Sequence, residues 1–484
     1  MSVVRFRIGT HALILALAAG TAQAGPADAP DDAAGAAVAA GDILPAGEMQ
    51  RIPAAPRPYK SRGAAALEIL GFQFLLNRFD HAFITPDSYG VSVGSIRRNL
   101  RSSWVLDRDP FEINQIGHPY QGSVYFGLAR SNGLGFWESL GYAFAGSAVW
   151  EVAGETTPPS RNDQITTSFG GSFLGEALYR MANLVLEQGY GLSPGWREVA
   201  AAAVSPPLGF NRYVRPGRNA GIWASNSPAV FSRLQLGAST PVRTDLGPSL
   251  ARKRGEAAAD FALEYGLPGK PGYTYRRPFD YFMFRLRLSN VQGVESLASR
   301  GLLFGAPYAS GARLRGIAGL YGSYDYLSPQ LFRVASTGLS LGSNAQWWLA
   351  EGLALQGHAS AGIGYTSTGT VRASSGRQYN YGFAPQAMMS LRLIGGDRMA
   401  LDLSAREFFR GKLTNPETAG TDRVFRGDAA LTYRVSGHHA VTLKYITSRR
   451  RFAFPDIPER QQRRDTVGLY YTYQPARGMG AVTW

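Results

Sequence analysis

From about residue 229 onward, apolar side chains recur at every second position in one short segment after another, and this alternation constrains the chain more than any other feature. In YFMFRLRLS, Phe282, Phe284, Leu286 and Leu288 alternate with Tyr281, Met283, Arg285 and Arg287, setting an apolar face against a cationic one. The pattern returns with Ala259, Phe261, Leu263 and Tyr265 against Asp260 and Glu264, with Leu401 and Leu403 against Asp402, and with Val441, Leu443 and Tyr445 against Lys444. About a dozen such segments begin near Val230, Ala257, Phe279, Val294, Leu314, Phe332, Leu353, Asn380, Met399, Phe425, His439 and Asp465, at strand lengths suited to membrane barrels.

The connections supply an independent test. AEG, IGGD and VSGH are short, and they alternate with the long STGTVRASSGRQ, RGKLTNPETAGT and SRRRFAFPDIPERQQ. Barrels that cross an outer membrane have short periplasmic turns and long outer loops, so this spacing predicts an antiparallel transmembrane β-barrel of about 12 strands with both termini periplasmic. A soluble β-sandwich shares the alternation but not the loop asymmetry. Trp484 is an aromatic end of the kind that marks such barrels for the insertion machinery, yet Pro475 and Gly478 interrupt the approach. Either that signal is displaced into GMGAVTW or the last strand closes at Tyr473.

Residues 1–24 read as an export signal, with Arg5 and Arg7 before a short apolar run and Ala22-Gln23-Ala24 placed for cleavage. Residues 25–62 are rich in Ala, Pro, Gly and Asp and read as a disordered leader. The chain has no cysteine, which excludes disulfides, thiolate metal sites and a lipidated N-terminal cysteine. The formal charge of +15 falls to +13 without Arg5 and Arg7 (15 minus 2). Export makes nucleic acid an unsuitable partner for that charge, and lipid phosphate a better one.

Residues 63–228 form a second unit. AAALEILGFQFLLNRF, GLGFWESLGYAFAGSAVWEVAGE and TSFGGSFLGEALYRMANLVLEQG carry apolar residues at helical spacing, and Gly141, Ala145, Gly170, Gly171 and Gly175 suit close helix approach. The expected fold is therefore α+β: an N-terminal helical unit at 63–228 followed by an outer-membrane β-barrel at 229–484. GHPYQGSVYFGLARSNGLGFWES, PSRNDQITTSFGGSFLGEALYR, SPPLGFNR and GLYGSYDYLSP resemble an exported bacterial family defined by a domain of unknown function, in which a helical unit precedes a barrel-like half. The resemblance covers roughly residues 65–230 and implies location and architecture; it implies no chemistry.

The helical unit also concentrates polar groups. His118, Glu151, Glu155 and Asp163 are candidates for acid–base or metal chemistry, with Ser123 a candidate nucleophile. No His-Glu-x-x-His or Gly-x-Ser-x-Gly motif accompanies them. No metal or other cofactor is therefore expected. The same residues, with Arg130, Asn162, Glu176 and Arg180, suit satisfied polar networks, while Tyr120, Tyr125, Phe136 and Trp137 suit an aromatic floor for a lipid or glycan. Along the strands Arg233, Asp260, Glu264, Arg285, Arg287, Arg392, Asp402, Arg406 and Lys444 are expected to face the lumen, either tuning passage or gripping a helical plug. Arg449, Arg450 and Arg451 are expected in an outer loop against lipopolysaccharide phosphate. Three functions remain open: passage or binding of a solute or lipid, an enzyme acting on lipid or lipopolysaccharide, and a structural barrel anchoring a periplasmic interaction module.

Overall fold

The computed structural model describes residues 60–484 except 108, 217–222, 224, 246–254, 371–378, 412–419, 455–456 and 476–477. The expected signal and most of the leader lie outside these residues, as do Arg252, Lys253 and Arg254, basic residues expected with Arg449, Arg450 and Arg451 in the outer loops.

Twelve antiparallel strands close into one barrel, each pairing with its sequence neighbour and the first with the last. They are β1 (Val230–Asp245), β2 (Glu256–Tyr265), β3 (Phe282–Ser289), β4 (Gly293–Ser310), β5 (Leu314–Leu327), β6 (Phe332–Ala350), β7 (Leu353–Thr370), β8 (Tyr379–Gly395), β9 (Met399–Arg410), β10 (Thr421–Ser436), β11 (His439–Phe454) and β12 (Ile457–Tyr473). Closure leaves no unpaired edge. One end has the tight connections 311–313, 351–352, 396–398 and 437–438, but the 266–281 connection at that same end is long. SRRRFAFPDIPERQQ is a correction: β11 and β12 run on through most of it as paired strands, Arg449 opposite Arg463 and Arg451 opposite Gln461, so it is not a long loop.

Alternation sorts the faces. Arg300 donates to Ser360 Oγ at 2.7 Å and Arg426 of β10 reaches Glu295 of β4 at 3.0 Å, contacts possible only across the interior. The opposite face carries exposed Leu236, Leu341, Leu403, Leu431, Leu443 and Leu469. Past Tyr473 the chain turns inward at the tight-turn end. Val482 accepts from Gln346 Nε2 at 2.6 Å and donates its N–H to Gln346 Oε1 at 2.9 Å, Gly480 accepts from Gln356 at 2.7 Å, and Trp484 donates to the Ala312 carbonyl at 2.8 Å. The last strand thus closes at Tyr473, and GMGAVTW forms a stopper.

Apart from one turn at Pro86–Tyr89, the helices of the described residues before the barrel are α1 (Arg62–Phe83), α2 (Val93–Asn99), α3 (His118–Ser131), α4 (Phe136–Ala153), α5 (Arg161–Ile165), α6 (Gly171–Gln188), α7 (Pro194–Val204) and α8 (Pro206–Val214). Single π turns, Ile113–Gly117 and Thr166–Gly170, lead into α3 and α6. Prolines open α7 and α8, where their missing N–H costs nothing. α3 is buried on nearly every side. It crosses α6 with almost no gap: a Cβ on Gly122 would fall 1.8 Å from the Thr167 carbonyl oxygen, and one on Gly171 would fall 2.6 Å from Gly122 Cα. Gly141, by contrast, has open space around it.

The helical unit does not plug the lumen. Ser299, next to the inward Arg300, faces out and donates to the Phe173 carbonyl at 2.7 Å. Outward Tyr324 donates to the Gln115 carbonyl, and outward Tyr379 to that of Asp109 at 2.5 Å. Phe173 fills the space over Gly322, and Phe136 stacks on Phe279 at 5.7 Å. The helices therefore lie against the outer wall, from β2 and β3 across to β8.

Candidate functional site

The nine residues assigned inward by alternation, Arg233, Asp260, Glu264, Arg285, Arg287, Arg392, Asp402, Arg406 and Lys444, all line one cavity inside the barrel. It encloses about 70 Å³, room for several waters. That is well below the roughly 300–1,000 Å³ of pockets for drug-sized ligands.

Most of the lining is cross-linked. Asp402 accepts from Arg233 at 2.6 Å and from Arg392 at 2.7 Å; Asp260 accepts from Lys444 at 2.9 Å; Asp325 bridges Arg300 at 3.2 Å and Arg406 at 2.8 Å. Glu295 joins Arg287 at 2.6 Å to Arg426. Among the described residues Arg285 and Glu264 form neither a hydrogen bond nor an ion pair, although both line the cavity and sit on the adjacent strands β3 and β2. Buried donors Arg233 Nε, Arg287 Nη1 and Arg392 Nη1 also lack a hydrogen-bond acceptor, although Arg287 Nη1 stands 3.7 Å from Asp260.

The sequence reading missed Glu295, Arg300, Asp325, His358, Arg426 and Asp428. Most of these alternate like their neighbours and were open to the same reading. Glu295 was not: it is the extra residue of a bulge, because Arg287 pairs with Ser296 and Leu288 with Val294, and the bulge turns it inward against the alternation.

The second constellation lies in the seam between helices and wall. His118 Nε2 stands 3.9 Å from Asp163 Oδ2, and its Nδ1 is buried without a partner. Asn162 donates to Asp163 at 2.9 Å and to Tyr381 at 3.0 Å, and its oxygen accepts from the Asp107 N–H at 2.8 Å. Glu151 accepts from the Ser160 N–H at 2.8 Å, while Ser160 Oγ caps α5 by accepting from the Asp163 N–H. Glu155 lies beyond the end of α4 and accepts from Trp150 Nε1 at 2.7 Å. Burial pushes the Asp163 carboxyl up to about 7, against the pull of the His118 imidazole, and burial beside Asp163 and Glu155 also raises Glu151. The Ser123 hydroxyl donates to the Tyr120 carbonyl at 2.6 Å, so no serine–histidine pair forms with His118. Among the described residues no group of three or more His, Asp or Glu is arranged to hold a metal ion.

A third set, Glu176, Arg130 and Arg180, is a buried ion cluster. Glu176 accepts from Arg130 at 2.7 Å and Arg180 at 2.8 Å, and Arg180 reaches Asp280 in the 266–281 connection at 3.0 Å. Trp223 covers the Arg180 guanidinium at 4.4 Å. Tyr125 and Phe136 are buried, whereas Tyr120 and Trp137 are about half exposed, so these four do not form a common floor. Arg450 also departs from expectation: it is buried and bonded to Asp422 at 2.7 Å, facing inward, while Arg451 is exposed on the outer face.

An apolar outer belt around a charged interior is the build of a membrane-crossing β-barrel, here with a helical unit on its outer wall. Within that class, residues 103–207 match the family model described as Domain of unknown function (DUF3943), the stretch that leads into α3 and runs to the start of α8. No curated protein matches the chain. Among solved structures the chain is similar to the outer membrane channel DcaP of Acinetobacter baumannii (9% identity, 51% of this chain and 96% of that one, TM-score 0.26). It is similar also to the NanC porin (6%, 49% and 98%, 0.25) and to the Pseudomonas putida toluene transporter TodX (9%, 52% and 90%, 0.22).

Proposed function

We propose that the protein is an outer-membrane barrel whose lumen binds and passes a small charged or polar solute, with Arg285 and Glu264 as the groups that meet it. The observation that carries this reading is their freedom: in a lumen where neighbouring acids are held by arginine or lysine, these two line the cavity without partners. The exposed leucine belt supports the membrane location, since water would leave it uncovered. The test is ion selectivity in planar bilayers. Glu264→Gln is expected to shift the reversal potential toward anions and Arg285→Gln toward cations. Folded protein that neither conducts nor transmits small solutes, even with its stopper released, would leave the barrel as an anchor for the helices.

We further propose that Arg449 and Arg451, flanked on the outer face by Arg423 and Arg463, contact lipopolysaccharide phosphate at the far end of β10–β12. Arginine forks suit phosphate oxygens. Replacing Arg449 and Arg451 with Gln should weaken lipopolysaccharide binding in detergent, and Arg450→Gln should instead loosen the barrel through Asp422. Equal binding by the double variant would reject this contact.

A further inference from the structure

α1 is built inside out. Its buried stripe is Ala65, Ile69, Gln73 and Asn77, and the two amides are used inward: Gln73 donates to the Gly146 carbonyl at 2.6 Å and Asn77 to that of Gly154 at 2.8 Å. Glu68 also turns inward, accepting from Asn211 at 2.8 Å and Arg215 at 2.6 Å. The exposed stripe is Leu67, Leu70, Phe74 and Leu75, with Leu67 72% and Phe74 64% exposed. In water the stable arrangement is the reverse.

The bond pairs Arg62–Glu138, Gln73–Gly146 and Asn77–Gly154 set α4 parallel to α1, and α4 adds exposed Trp137, Phe144 and Val149 to the same unit. No charged side chain is exposed on α1 between Arg62 and Arg78. At about 1.5 Å per residue that stretch is about 24 Å long. The apolar band of a membrane barrel is about 25 Å tall. Lys60, Arg62 and Glu138 are paired at one end of it. Continuity with the barrel is direct: Trp137 stacks on outward-facing Phe304 of β4, ring centroids 5.2 Å apart, and both are about half exposed.

We infer that the helical unit is embedded in the membrane beside the barrel, level with its apolar band, its α1 and α4 faces covered by lipid acyl chains. Among the described residues no helix is long and apolar enough to cross a membrane. The unit enters as a packed group, not as a lone apolar helix, because the polar inner faces are satisfied against each other and the barrel wall. The unit takes the place of lipid over β2–β8 and returns an apolar surface outward, continuous with the barrel's own belt. The inference rests on the membrane reading of the barrel.

The chain's lack of cysteine makes the test direct. Single nitroxide labels at Leu67→Cys, Phe74→Cys and Phe144→Cys are compared in native-lipid vesicles with Leu443→Cys on the barrel belt and Asp397→Cys in a tight turn. Power saturation reads collisions with oxygen, which partitions into lipid, and with a water-soluble nickel chelate. The expected result is that all three helix labels match Leu443, with strong oxygen and little nickel contact. Helix labels that match Asp397 while Leu443 stays oxygen-rich would put the unit in water and overturn the inference alone. Labels screened from both probes would show a protein cover, a second copy or another partner, and overturn it equally. A nickel-accessible Leu443 would overturn the membrane reading beneath it.

Discussion

Arg180 and Asp280 meet at 3.0 Å, both fully buried, one on α6 and the other in the 266–281 connection, so a single ion pair ties the helical unit to the barrel at its tight-turn end. Asp280 also accepts from the Arg276 and Arg277 N–H groups, and Arg180 donates to the Pro278 carbonyl. Removing one member of a buried pair typically costs about 3–5 kcal/mol, because the other charge is left uncompensated. Asp280→Ala is therefore expected to release the helical unit to protease while the barrel still resists unfolding on an unheated gel. Protection equal to the parent protein would mean that the seam's other contacts, its apolar packing and the hydrogen bonds of Ser299, Tyr324 and Tyr379, hold the unit without this pair.

Glycine at position 122 is required by the α3–α6 crossing. Gly122→Ala must separate two backbones, since the added carbon would overlap the Thr167 carbonyl. Overpacking of this kind costs about 1–3 kcal/mol or more. Gly141→Ala adds the same carbon where nothing lies within reach and favours the helix. The melting temperature of the helical unit should fall for the first variant and hold or rise for the second; a tolerated Gly122→Ala would contradict the close crossing.

Stability of the seam should depend on pH through Asp163. Its carboxyl has an ordinary value of 3.8 and rises to about 7 in place, chiefly through burial. The folded form therefore binds the proton more tightly, and stability falls as pH climbs between these two values. The helical unit is expected to melt lower at pH 8 than at pH 5, and Asp163→Asn to reduce the difference, leaving the part that the raised Glu151 and Asp80 carboxyls contribute. A pH profile unchanged by that variant would assign the dependence to other groups.

The stopper makes a prediction about conductance. Gln346 and Gln356 hold Val482 and Gly480. Gln346→Ala combined with Gln356→Ala is expected to raise single-channel conductance or lengthen open times, because the tail loses three of its hydrogen bonds inside the wall and keeps those from Trp348 and Arg434. Identical traces for parent and variant would show that the tail does not limit the path.

Much of the barrel was legible because an apolar exterior and a charged interior impose a strict alternation: Leu314, Phe332, Leu353, Met399 and His439 each begin a strand where the pattern begins. Beyond the apolar belt that signal fails. Arg449 and Arg450 face opposite sides of β11, yet both are arginine, so an extended strand read as a loop. The nine lumen charges were legible one by one, but their pairing was not, since Arg233 meets Asp402 across the interior and no local rule joins β1 to β9. The outer docking was hidden for a related reason. Phe282, Phe284 and Leu286 must be apolar whether they meet lipid or helix. α3 is absent from the helices read by periodicity, because a helix buried on nearly all sides among small residues shows no amphipathic stripe.

The placement of the helices on the outer wall has a consequence in time. Their residues precede the barrel's in the chain, yet the surface that receives Phe173, Phe136 and Gln115 exists only after β2–β6 have paired. The half that is made first must therefore wait for the half that is made last, its leucines and phenylalanines uncovered until those strands have paired. Such a delay exposes the chain to aggregation. The same late docking makes the helical unit a report on the barrel: it becomes ordered in place only when the wall behind it is complete.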